Sequence, residues 1–214
     1  TPSISSAASD VYKRQGMEVA LRRNSVHDAE RILGARLALD GSDEAEFQFR
    51  LDQSTALAGK IISSPFSRHD TEVIYNQRWI SSVGYCLPVT QFTDAQCDKI
   101  QKPAYNAILP KMGFNRHFPR AVIFGPAKYQ GKQLTDYKVH QYTSHLMRFV
   151  GYLRLNQDLG NILRIQMDQH QLLIGSDRHF LELSSDTYPY GESSRIQFLC
   201  CLLYTSPSPR DLKL

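Results

Sequence analysis

Between Asp43 and Gly175 the apolar residues recur every three or four positions in successive stretches. That period commits most of the chain to amphipathic helices. Phe47, Leu51, Ser54, Ala58 and Ile61 share one face of a helix running from Asp43 to about Ser63. Ser64-Pro65 then breaks it, because proline lacks a backbone donor and restricts the residue before it. Ser67 is placed to cap the next helix, whose buried stripe reads Val73, Ile80, Val83 and Leu87 and which must stop before Pro88. Thr93 and Gln96 have capping-box spacing, followed by Cys97, Ile100, Ala104, Ala107, Ile108 and Met112, with Gly113 as terminator. Pro103 inside this run predicts a kink or two shorter helices. Two more helices follow. One begins at Thr135 and carries Val139, Tyr142, Leu146, Phe149, Val150 and Leu153. The other begins at Asp158 and carries Leu159, Leu163, Met167, His170 and Leu173, ending at Gly175.

Extended structure is expected in two places only. Ile32–Leu39 reads as a strand closed by an Asp40-Gly41 turn, and Arg120–Phe124 as a short strand before the Gly125-Pro126 and Gln130-Gly131 turns. The fold class is therefore mainly α: a helical bundle preceded by a short β-hairpin. Residues 16–42 would form the hairpin region, 43–180 the helical part and 181–200 an irregular tail.

The two ends carry a different signature. Asp10–Gln15 can be encoded by GATGTGTATAAGAGACAG, and the reverse complement of that string, read from its second base, encodes Cys201–Thr205 and the start of Ser206. Complementary coding at opposite ends resembles the transposase mosaic end of a sequencing-library adapter. Residues 1–15 and 201–214 are accordingly expected to be translated adapter without order of their own, and the insert to be part of a longer chain. An independently cloned genomic copy carrying the same end peptides would overturn this. Setting aside Lys13, Arg14, Arg210, Lys213, Asp10 and Asp211 lowers the formal charge from +4 to +2, so charge permits a nucleic-acid partner without requiring one.

No apolar run approaches the ~20 residues of a bilayer-spanning helix, and no membrane partner is expected. Four cysteines without regular spacing do not make a disulfide scaffold and suit a reducing compartment. Cys86 and Cys97 sit among apolar neighbours as small core residues. Cys200-Cys201 straddles the adapter junction. Phosphate-loop, dinucleotide-binding and nucleophile-elbow motifs are missing. His140 and His145, five apart, point to different helix faces and read as surface or capping residues. No metal-ligand spacing is present, nor an aspartate pair of the kind that holds two magnesium ions, so no cofactor is expected in this fragment.

The order of landmarks is the distinctive feature. Leu33-Gly34-Ala35-Arg36-Leu37-Ala38-Leu39-Asp40-Gly41 is followed by Tyr75, Trp79, Tyr85 and Pro88, then by Thr93, Cys97, Ile100 and Gln101. Asn115 to Pro126, Gly131-Lys132-Gln133-Leu134 and Gln141 complete the series. This run resembles the region after the catalytic aspartates in reverse transcriptases of retroelements from microbial eukaryotes. The resemblance spans about residues 30–180. Leu33, Gly34, Leu37, Asp40 and Gly41 match a hairpin that closes the palm in that family, with Ala35 where a larger branched residue is usual. It implies that the chain from about Asp43 is a thumb, a helical bundle over the template–primer duplex. The fingers and catalytic palm, where the parent enzyme would hold magnesium, are missing. RNA–DNA or RNA template–primer is then the implied partner, together with the missing palm and fingers. The fragment itself is expected to be inactive as an RNA-directed DNA polymerase.

Such a lobe needs cations on one face. Lys99 and Lys102, with Asn106, lie opposite the Ile100–Ala107 stripe; Lys111, Arg116, Arg120, Lys128, Lys132 and Lys138 follow. Arg116-His117-Phe118-Pro119-Arg120 interleaves cations with an aromatic ring, which suits backbone contact and stacking. Any one of these residues would look the same on an ordinary solvated helix face. Trp79, Tyr75, Phe149 and Tyr142 fall on apolar stripes and read as core. A non-enzymatic helical protein-interaction domain is the alternative, and a decayed element copy without present function is a third reading.

Overall fold

Helix α1 (Glu44–Ser63) packs along helix α4 (Asp94–Lys111) more extensively than any other pair of helices, start beside start and end beside end. The computed structural model describes residues 11–14, 17–20, 25–155 and 158–179. Phe47, Ala58 and Ile61 of α1 are buried as the period required, against Cys97, Ile100, Ala104, Ala107 and Ile108 of α4. Each large apolar side chain so buried contributes about 1.5–3 kcal/mol. Ser54 sits inside this contact because both its polar needs are met. Its hydroxyl donates to the Ile100 carbonyl at 2.6 Å and accepts from the Trp79 indole N–H at 3.2 Å. The Thr93–Gln96 capping box forms as expected.

Helix α4 runs unbroken through Pro103 and Pro110 rather than splitting. Burial of Ala104, Ala107, Ile108 and Leu109 on the same two turns holds the helix together against a proline penalty of about 3 kcal/mol.

Between α1 and α4 the chain forms one continuous helical rod. It comprises α2 (Arg68–Val73), a π-helical segment (Ile74–Trp79), α3 (Ile80–Val83) and a 3₁₀ turn (Gly84–Cys86). Ser67 caps it through a reciprocal bond with Asp70. The wide π turn absorbs an extra residue and rotates the upstream face. Thr71 and Tyr75 are therefore buried, while Val73, expected in the stripe, is exposed. Tyr75 and Trp79 stack at 5.1 Å and are almost wholly buried.

Helix α5 (Arg120–Phe124) occupies the stretch that reads as a strand. Pro119 starts it, its carbonyl accepting from the Val122 and Ile123 amides. The following loop turns back so that the Lys132 and Leu134 amides donate to the Val122 and Ile123 carbonyls, giving the short helix the partners a strand would have sought in a sheet. The reversal brings Gly131 against the Gly125 carbonyl, where a Cβ would lie 2.0 Å from the oxygen.

Helix α6 (Tyr137–Arg154) is capped by Asp136 and bears α7 (Asp158–Ile174). Three α6 side chains grip the backbone of the segment before α4. Gln141 exchanges bonds with the Phe92 N–H and carbonyl, His145 Nε2 meets the Thr90 carbonyl at 2.8 Å, and Arg148 donates to the Pro88 carbonyl. His145 is thus buried, not a surface histidine, and its carbonyl partner explains why burial is tolerated. His140 is half-buried, and desolvation lowers its pKa. Val139, Val150, Leu159 and Leu173 are exposed although their period placed them in stripes. Packing between α6 and α7 is confined to a small patch in which Phe149 is buried among Tyr142, Leu146, Leu153, Leu163 and Met167. Tyr142 is only half-buried.

A hairpin of β3 (Glu30–Ile32) and β4 (Ala35–Leu37) precedes the helices. The turn falls at Leu33-Gly34, not after Leu39, and both turn residues have positive φ (50° and 93°), the geometry that tight two-residue hairpins favour. Asp40-Gly41 does form a turn, but it leads into α1. The hairpin is clasped to the bundle by a buried ion pair. Glu46 accepts from Arg50 Nε at 2.6 Å and from the Arg36 backbone N–H at 2.7 Å. Arg50 further donates to the carbonyls of Ser82 and Gly34 and to Gln53 Oε1. The Arg36 guanidinium lies 3.5 Å over the Phe49 ring.

A second hairpin pairs β1 (Val11–Arg14) with β2 (Met17–Ala20) across the proposed adapter junction. Order was not expected before Gly16; antiparallel backbone pairing is local and tolerant of sequence. Residues 1–10, the tail at 181–200 and the second proposed adapter at 201–214, with Cys200 and Cys201, lie outside the described residues.

Candidate nucleic-acid interface

Lys99 and Lys102 project from the exposed side of α4, opposite the fully buried Ile100 and Ala104. One turn on, Tyr105 is buried and carries the Arg120 guanidinium 4.2 Å over its ring. That burial pushes the Tyr105 hydroxyl pKa upward. Its ring also meets Phe124 of α5 at 5.8 Å, so α4 fixes the position from which Arg120 leaves α5.

The loop from Gly113 to Pro119 is shaped by local bonds. The Phe114 amide reaches back to the Leu109 carbonyl, and Asn115 accepts from the His117 amide through Oδ1 and from the Phe118 amide through its carbonyl. Phe114 and Phe118 then pair at 4.5 Å, leaving Arg116 and His117 exposed with Arg116 Nε donating to His117 Nε2. The Lys132 ammonium lies 5.7 Å from the Phe114 ring. Arg116 leaves this loop and Arg120 leaves α5, and the Lys132 amide bonds to the Val122 carbonyl of that helix.

The other cations divide. Lys128, on a 3₁₀ turn (Ala127–Tyr129), is exposed beside the exposed Tyr129 ring. Lys111 is half-buried and donates to the Ser64 carbonyl, tying the end of α4 to the end of α1. Lys132 pairs with Glu72 at 3.2 Å. Lys138 pairs with Asp94 and raises its own proton affinity by doing so. Burial raises the Asp94 pKa, but the bonds from Lys138 and Tyr142 outweigh it and hold the carboxyl below its ordinary value. Lys138 stands by the first turn of α4 and Lys111 at its last, roughly 25 Å apart at 1.5 Å per residue. The predicted set is therefore not one patch. Lys99, Lys102, Arg116, Arg120 and Lys128 are exposed and have no carboxylate partner among the described residues.

Glu72 and Asp94, which neutralise two members of the set, were not singled out from sequence. Asp94 carried the signal of an acidic residue just after a cap; Glu72 carried none, being far from Lys132 along the chain. Other chemistry finds little footing. Burial pushes the Cys86 thiol up to about 11 and Cys97 up to about 12, so both stay protonated near neutral pH. No three His, Cys, Asp or Glu side chains among the described residues converge as a metal site would require.

Fold and surface define a mainly helical bundle with a hairpin clasped to one end and a cationic, aromatic loop at the end of α4. Compared with protein-family models, with curated proteins and with solved structures, the chain matches none.

Proposed function

We propose that the chain is a thumb-like part of a retroelement reverse transcriptase that contacts the template–primer duplex and does not itself form bonds. The observation that carries this reading is a set of five cations, Arg116, Arg120, Lys99, Lys102 and Lys128. These cations are exposed, unpaired with carboxylates among the described residues, and interleaved with rings at Tyr105, Phe118 and Tyr129. Phosphate oxygens would supply the missing counter-charges. Lys132 and Lys138 would contribute less, because a phosphate would have to compete with Glu72 and Asp94. The parent reaction, template-directed addition of deoxynucleotides with magnesium held by a palm, lies outside what this segment would do.

The test is anisotropy of a labelled RNA–DNA hybrid titrated with the protein across a salt series. Wild type should bind with a steep negative slope of log K against log salt. Replacing Lys102, Arg116 and Arg120 by alanine should flatten that slope by nearly one per cation removed. An unchanged affinity and slope would refute the reading, and magnesium-dependent primer extension by the purified chain would refute its non-catalytic part. A second reading, a non-enzymatic protein-interaction domain, is favoured by one observation: Ile162, Ile165, Leu172 and Leu173 are exposed along α7. Binding through that face would be insensitive to salt.

A further inference from the structure

The π-helical segment lies along the C-terminal half of α1 with a cleft between them. Its volume is about 240 Å³. Leu57, Ile61, Ser64, Phe66, Ile74 and Trp79 line it, with Ile61 and Trp79 buried. Its charged lining residues are Lys60 from α1 and Arg78 from the π segment, both exposed. No acidic residue lines the cleft, and neither cation has a carboxylate partner among the described residues.

We propose that this cleft binds a medium-chain fatty-acid carboxylate, its chain on the apolar lining and its head between Lys60 and Arg78. Three independent features agree on that chemistry. Charge in the lining is of one sign and is carried by two exposed side chains, whereas the apolar Ile61 and Trp79 are buried, so the ligand should be apolar in body and anionic in its head. The volume exceeds the roughly 150 Å³ that accepts benzene and falls short of the ~300 Å³ at which drug-sized sites begin. The α1 side of the cleft runs from Leu57 to Ser64, roughly 10 Å of helix, which gives a slot suited to a linear chain. The π turn is what opens the slot: it supplies Ile74, Arg78 and Trp79 to the lining, and such turns recur at functional sites. Lys111 holds the carbonyl of Ser64, one of the lining residues, and so ties that part of the cleft to α4. None of this involves the cations proposed to meet nucleic acid except Lys111, whose role here is structural, so the two ideas stand or fall separately.

Trp79 is the only tryptophan of the chain, and it lines the cleft, so its fluorescence reports occupancy directly. The full chain would be titrated with octanoate below its micellar range, and in parallel with octanol and octylamine. Octanoate should change Trp79 emission saturably, with octanol at least about tenfold weaker and octylamine weaker still, as loss of a charge-assisted contact implies. The Lys60→Gln/Arg78→Gln variant changes only exposed side chains; circular dichroism would confirm that it folds. It should bind octanoate no better than octanol. The proposal is overturned if octanoate gives no saturable change, if octanol matches it in wild type, or if the double variant keeps the preference for the anion.

Discussion

Removing Glu46 isolates the contribution of the clasp between hairpin and bundle. Its carboxylate is fully buried and takes bonds from Arg50 and from the Arg36 backbone. In Glu46→Ala the Arg50 guanidinium, itself almost wholly buried, would lose its only buried counter-charge, and one strand amide would lose its acceptor. Breaking a buried pair from one side costs about 3–5 kcal/mol. With a urea m-value of about 2 kcal/mol/M the midpoint should fall by roughly 1.5–2.5 M. The companion Glu46→Leu/Arg50→Met removes both charges together. It leaves the Ser82 and Gly34 carbonyls without that donor and the part-exposed Arg36 without Glu46, but no almost wholly buried ion unpaired, so it should cost less than the sum of the single variants by about 2 kcal/mol. Amide exchange at Arg36 should quicken in Glu46→Ala beyond the change at α4 amides. A single-variant loss below about 1 kcal/mol, or strict additivity in the cycle, would refute the reasoning.

Gly34→Ala should destabilise by about 1–2 kcal/mol in chemical denaturation, because φ is +93° and a Cβ would stand 3.0 Å from the Tyr85 ring; a neutral result would mean that the turn is not held as described. Asp136 caps α6 with its pKa raised, chiefly by burial, above the ordinary 3.8. Since the folded state holds the proton more tightly, stability contributed here is present at low pH and is lost as pH rises from 3.8 through the raised value. Asp136→Asn keeps a capping oxygen without the charge. It should match or exceed wild-type melting temperature near neutrality, with the gain vanishing in acid; a variant less stable at every pH would contradict this. Asp70 has the opposite sign: the Ser67 bonds lower its pKa, so its contribution is present above 3.8 and lost as pH falls through the lowered value. Asp70→Asn should therefore flatten the acid limb of a melting-temperature profile, and an unchanged limb would remove Asp70 from that account.

Local patterns carried much of this architecture. Phe47, Ala58 and Ile61 bury because the period of α1 is regular, and Thr93 with Gln96 is a signal complete within four residues. What escaped was set by partners distant in the chain. Glu46 and Arg50 carry no local sign of burial, because the Arg36 amide and the Ser82 carbonyl that satisfy them belong to other elements. His145 reads as exposed until the Thr90 carbonyl meets its ring. Val73 was misplaced because a π turn changes the period without marking the sequence, and Arg120–Phe124 because a five-residue apolar run suits a strand or a helix equally. The cationic set was legible as residue types but not as a surface. Pairing of Lys132 with Glu72, and of Lys138 with Asp94, depends on how the helices meet.

Helix α7 rests on α6 through the patch around Phe149, apart from the main core that joins α1, the helical rod and α4. Detaching it exposes Phe149, His170 and a few half-buried side chains and leaves the rings of the main core in place. Two separate cores imply two tiers of stability: gentle warming or limited proteolysis should strip the last helix before the inner core opens.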